Sequence, residues 1–232
     1  MLYLIGLGLN EMGYSKEAYE AILKADKVYL ESYTVEFPYE KEKLEKQFKK
    51  EIIIVNRDFI EGLKFFDEAK NKEIVLLIYG SPLSATTHIT IIQEAKKFGI
   101  RVKVLHAGSV FDAVAETGLQ PYKFGKITSL PNFPADSYME IVKANLDIKA
   151  HTLILIDIEL KFEDAVKKLV DDCVNKNLKL DKIIVCSRLG NDDSKIFYDT
   201  TDNLKSLVIK APFCIIIPGE LHFMERDFLE TL

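Results

Sequence analysis

Five runs in the first half of the chain are almost continuously apolar: LYLIGLGL (2–9), KVYLESY (27–33), IIIVN (52–56), EIVLLIYG (73–80) and RVKVLHA (101–107). A strand with one wet face alternates apolar and polar residues. A strand that is apolar throughout has to be covered on both faces, as in a parallel sheet sandwiched by helices. The segments between them, at about 15–25, 40–49, 58–71 and 86–98, have the spacing of amphipathic helices. Alternation of this kind predicts an α/β fold.

The pattern changes near residue 120, where PYKFGKITSLPNFPADSY contains three prolines. Strand-like runs then return as HTLILIDIEL (151–160), KIIVCSRLG (182–190) and FCIIIPGELHF (213–223), with helical stretches near 137–147, 162–175 and 219–230. This predicts two α/β domains, 1–110 and 111–232, the first with a mainly parallel sheet and the second with a mixed one. EKEKLEKQFKKE (40–51) has the mixed charge of a solvated helix face.

Composition removes several classes of function. With 31 basic and 36 acidic residues the net charge is −5, which argues against a general nucleic-acid binder. Cys173, Cys186 and Cys214 form no CxxC pair, and His, Cys and acidic residues nowhere show metal-ligand spacing. Sparse thiols of this kind suit a reducing compartment. The opening apolar run is far shorter than the ~20 residues of a membrane span and has no basic segment before it, so a cytoplasmic protein is expected, with no membrane partner. GxSxG, a Walker lysine motif and a Cys/His nucleophile pair are all missing from the sequence.

Four strand exits carry the residues that bear chemistry. YLIGLGLN (3–10) has two glycines after a strand, but Glu11 and Gly13 break the dinucleotide fingerprint. It is either a tight turn or a place where backbone approaches a ligand. GSPLSATTH (80–88) offers four hydroxyls where capping the next helix needs one. HAGSV (106–110) repeats the small-residue exit, and PGELH (218–222) leaves a buried strand toward a histidine. Exits from one parallel sheet share an edge, so the first three are expected to converge there.

Taken in order and spacing, YLIGLGLN, VYLESYT (28–34), GSPLSATTH, HAGSVFDAVAETGLQPYKFG (106–125), HTLILIDI (151–158) and PGELH resemble the diphthine synthase family of tetrapyrrole-methylase-like methyltransferases along essentially the whole chain. The ATTH and TGLQ-YKFG blocks are the most specific parts. The resemblance implies a homodimer whose two α/β domains hold S-adenosyl-L-methionine in a cleft between them, releasing S-adenosyl-L-homocysteine. It implies methylation of the amino group on the modified histidine of elongation factor 2 during diphthamide biosynthesis. Carried over position by position, it implies cofactor contacts at Leu9, Ser81, Ser84, Ser109, Val110, Ile156, Tyr198 and His222. It identifies no catalytic residue.

Three departures stand out. Gly80-Ser81-Pro82 occurs where the family usually has Gly-Asp-Pro, removing a carboxylate near the cofactor's positive groups. Tyr198 and Asp199 replace small residues, and the segment after Ile158 is short. The alternatives are a precorrin-type tetrapyrrole methyltransferase of the same fold and a catalytically silent cofactor-binding module. Methyl transfer from a sulfonium needs an in-line neutral amine more than a dedicated base. Glu31, Tyr33 and Asp157 are the side chains able to take a proton, though structural roles suit all three better.

Overall fold

β1 (Leu2–Gly6), β2 (Lys27–Glu31), β3 (Ile53–Val55), β4 (Ile74–Ile78) and β5 (Val102–Leu105) form one sheet in the order β3-β2-β4-β1-β5, with every pair parallel. The computed structural model describes residues 1–232, which fold as two units, Met1–Asp112 and Ala113–Leu232. In the first unit, β4 shows why its strands lack polar alternation. Ile74, Leu76 and Ile78 enter one apolar cluster with Leu2, Leu4, Phe65 and Ile91, while Val75 and Leu77 enter the other with Ile5, Ile22, Leu44 and Phe48. All five β4 side chains are buried, each worth roughly 1.5–3 kcal/mol relative to exposure.

The covering helices are α1 (Lys16–Lys24), α2 (Lys41–Phe48), α3 (Arg57–Glu61), α4 (Phe66–Ala69) and α5 (Ile89–Lys97). Ser15 caps α1, its hydroxyl accepting from the Ala18 N–H at 3.1 Å. The single helix expected over 58–71 is two short ones, because the chain turns at Gly62 and Leu63 takes a left-handed φ of +53°. A short helix, α6 (Val110–Ala113), follows β5.

The second unit contains β6 (Thr128–Leu130), α7 (Tyr138–Asp147), β7 (Thr152–Ile156), α8 (Phe162–Asn175), β8 (Lys182–Ser187), β9 (Lys195–Thr200), α9 (Thr201–Leu204), β10 (Phe213–Ile217) and α10 (Phe223–Leu229). Its sheet runs β6-β7-β10-β8-β9, parallel only at β6/β7, so it is mixed as the sequence predicts. α7 and α8 bury Tyr138, Val142, Val166 and Leu169 against Ile154, Val185 and Ile215. β9 and β6 are additions to the sequence reading, and α10 starts later than the helix expected from 219. The three thiols are free and buried, with Cys186 opposite Cys214 on neighbouring strands. No helix is long and apolar enough to cross a membrane.

Candidate functional site

β4 and β5 flank β1 on either side, so the three loops leaving them start as neighbours at one sheet edge. They are also tied together. Gly8 and Gly80 exchange backbone hydrogen bonds, with N–H to carbonyl distances of 3.2 and 2.9 Å. Gly6 is where all three loops touch: a Cβ there would lie 2.5 Å from the Gly80 carbonyl, 2.9 Å from Pro82 Cδ and 3.0 Å from Ala107 Cβ. Gly80 adopts φ +69°, a region that glycine enters freely, and this brings it beside Ser109. The segments around Gly8, Pro82 and Ser109 therefore form one cluster within the first unit.

The sequence-predicted residues have distinct roles in that cluster. Leu9 is half-buried, and its carbonyl accepts from the Tyr79 hydroxyl at 3.0 Å. Ser81 places its hydroxyl 3.4 Å from His106 Nδ1, and its carbonyl accepts from the Ser84 N–H at 3.1 Å. The residue before α5 is His88, whose side chain makes no capping bond; of the four hydroxyls, that of Thr86 accepts from the His88 N–H at 3.4 Å. Ser109 does cap: its hydroxyl accepts from the Phe111 N–H at 3.2 Å and donates to Asp112 at 3.0 Å, opening α6 at Val110. A Cβ built on Gly108 would meet nothing within 4 Å, which leaves open space beside these backbones. His106 was missed by sequence reasoning, although it immediately precedes Ala107-Gly108-Ser109.

The second unit does not gather its three predicted residues. Ile156 ends β7 on the core face, packed with Leu130 and Phe213. Tyr198 lies on β9, with β10 and β8 between it and β7. It pairs with Ile184, whereas its neighbour Phe197 pairs with the core residue Val185, so Tyr198 faces the opposite side of the sheet from Ile156. There it carries Lys182 Nζ over its ring at 4.8 Å. His222 caps α10, beyond the end of β10 that pairs with the start of β7. Among the proton-acceptor candidates, Glu31 is buried and accepts from the Tyr33 and Thr34 N–H groups at 3.0 and 2.8 Å, holding a turn. Burial and nearby Glu31 push Tyr33 up to about 12. Asp157 accepts from the Asn132 and Ile158 N–H groups, fixing its loop.

One buried carboxylate organises the loops of the second unit. Glu225, with no exposed side-chain area, accepts from Lys123 Nζ at 2.6 Å, the His222 N–H at 2.7 Å, the Gln120 N–H at 2.9 Å and His151 Nε2 at 3.1 Å. Burial alone would raise its pKa, but these four donors outweigh burial and hold it at about 2. His151 Nδ1 accepts from the Gly219 N–H at 2.9 Å, so Nε2 carries the proton given to Glu225. Burial pushes the His151 pKa below its ordinary 6.5 despite the carboxylate. The node thus binds the YKFG, HTLILID and PGELH segments together.

A two-sheet α/β fold with linked small-residue loops at the parallel edge defines a class, and residues 1–205 match the family described as Tetrapyrrole (Corrin/Porphyrin) Methylases. Over its whole length the chain is 38% identical to a diphthine synthase of Methanococcus vannielii, covering 98% of that protein. It is 33% identical to the diphthine methyl ester synthase of Dictyostelium discoideum, covering 97% of it. A solved structure of a diphthine synthase superposes with a TM-score of 0.92 at 30% identity, over 99% of this chain and 94% of that one. The chain belongs to the diphthine synthase family and is a methyltransferase.

Proposed function

We propose that the methyl donor is S-adenosyl-L-methionine, held by the loops after β1, β4 and β5, and that the acceptor is the amino group of the modified histidine of elongation factor 2. The observation that carries this is the three-loop contact at Gly6 beside the open space at Gly108. Side chains larger than these would fill a cradle that brings backbone groups up to a nucleoside-sized ligand. Leu9, Ser81, Ser84, Ser109 and Val110 provide its walls. Ile156, Tyr198 and His222 are widely separated within their own unit, so the donor assignment rests on the first unit.

The bound donor supplies an activated methyl group on a sulfonium. What the chain contributes is position: the Gly8–Gly80 pair and the Ser109 cap fix the loops before any ligand arrives, so little ordering cost remains at binding. Ser81 and Ser84 supply neutral hydrogen-bonding hydroxyls on the loop after β4. The amine is oriented for in-line attack, and its proton leaves to solvent or to a side chain at the rim, where His106 is exposed beside Ser81. A homodimer and a cytoplasmic site of action complete the proposal, the latter supported by three free, buried thiols.

Mass spectrometry of the elongation-factor histidine, after incubation with enzyme and donor, tests acceptor and methyl count together. Added mass in methyl increments on that residue supports the proposal. Transfer only to a precorrin-type tetrapyrrole would move the acceptor to the alternative that the wider family's description suggests. Donor binding without transfer to either acceptor would mark a silent module. The same spectra distinguish a diphthine product from a methyl ester of the kind named for the Dictyostelium relative.

A further inference from the structure

The ATTH block, one of the two most specific stretches in the sequence, contributes none of the residues assigned to the donor, yet it contains a buried histidine. His88 is 1% exposed. Its Nδ1 lies 3.2 Å from the Pro82 carbonyl, and Thr86 Oγ1 donates to the same oxygen at 3.2 Å. A carbonyl only accepts, so Nδ1 carries the hydrogen. Nε2 is buried without a hydrogen-bond partner. Pro82 is itself a contact point of the donor cluster, 2.9 Å from where a Gly6 Cβ would stand.

From this geometry we infer that His88 is a positioning residue for the donor site: its Nδ1–H, with the Thr86 hydroxyl, grips the Pro82 carbonyl and sets the Gly80–Ser84 loop against the loop after β1. The inference rests on the donor site proposed above. The Gly8–Gly80 pair anchors the start of the loop, and proline supplies no N–H of its own, so its carbonyl is the remaining backbone handle. Two donors on one carbonyl, one of them from a ring packed beneath the loop, hold it more firmly than a solvent-exposed turn would be held. His88 touches no reacting atom and acts only through this loop.

Three variants with S-adenosyl-L-homocysteine as probe separate the hydrogen bond from packing. His88→Asn keeps a donor near the Nδ1 position, His88→Gln keeps one only near Nε2, and His88→Leu keeps neither. Calorimetry should give an affinity for His88→Asn within about threefold of wild type, and losses of about tenfold or more for His88→Gln and His88→Leu. KM for the donor should rise by similar factors while kcat changes less. Ile91→Val, in the apolar cluster beside the same loop, serves as a destabilised control that should leave affinity unchanged. Equal affinities across the series, or an order that follows side-chain volume or melting temperature, would overturn the inference. Absence of binding by the wild type would instead remove the donor site on which it rests.

Discussion

Replacing Glu225 by glutamine should destabilise the protein far more than an ordinary change on the last helix. Oε1 receives Gln120 N–H and His151 Nε2, and Oε2 receives Lys123 Nζ and His222 N–H. A carboxamide keeps one oxygen and can satisfy only one of those pairs. Its NH2 then faces two donors. His151 cannot relieve the conflict by changing tautomer, because Gly219 already donates to its Nδ1. Holding a carboxylate at about 2 rather than 4.5 corresponds to about 3 kcal/mol of folding free energy, and breaking a buried ion pair by neutralising one partner costs about 3–5 kcal/mol. Glu225→Gln should therefore lose about 3 kcal/mol in urea unfolding and about 6–12 °C in melting temperature for a chain of this size. Lys123→Met should cost less, because the lysine is partly solvated. A loss below about 1 kcal/mol for Glu225→Gln would refute the reasoning.

Gly6→Ala would set a methyl 2.5 Å from the Gly80 carbonyl, so the three loops must part. Overpacking of this kind costs about 1–3 kcal/mol, and calorimetry should show S-adenosyl-L-homocysteine affinity lost while circular dichroism stays native. Stability should fall with acid in two stages. The folded state disfavours protons on both groups, so the unfolded chain binds more of them. The His151 contribution is present above about 6.5 and declines below it, and the Glu225 contribution declines from about 4.5 toward 2, measurable as urea midpoints across pH. Ser81→Asp restores the carboxylate usual at that position in the family. It should tighten donor binding about fivefold at low salt, with the gain shrinking as salt rises, since charge-assisted bonds are stronger than neutral ones.

Particular residues show what the sequence could reveal. The parallel sheet is legible because consecutive β4 residues feed cores on opposite faces, which leaves no place for polar alternation. The meeting of three loops at one sheet edge is legible because close backbone approach demands small residues, and these appear directly after each strand. β9 is hidden because KIFYDT is a half-exposed edge strand beside the polar turn NDDS. The break between α3 and α4 is hidden because a lone Gly62 within a helical pattern is compatible with continuity. Glu225 reads as a surface acid in MERDF, and the partners that bury it lie 74 and 105 residues away. Tyr198 is assigned by resemblance in a stretch of variable spacing, and it lies on an edge strand facing away from Ile156.

Hydrogen exchange of the full-length protein with and without S-adenosyl-L-homocysteine addresses the origin of the site directly. Slowed exchange should appear together in the stretches around Leu9, Ser84 and Val110, three sequence-distant places joined only by the fold. Saturable binding that leaves all three unchanged would mean the nucleoside sits elsewhere.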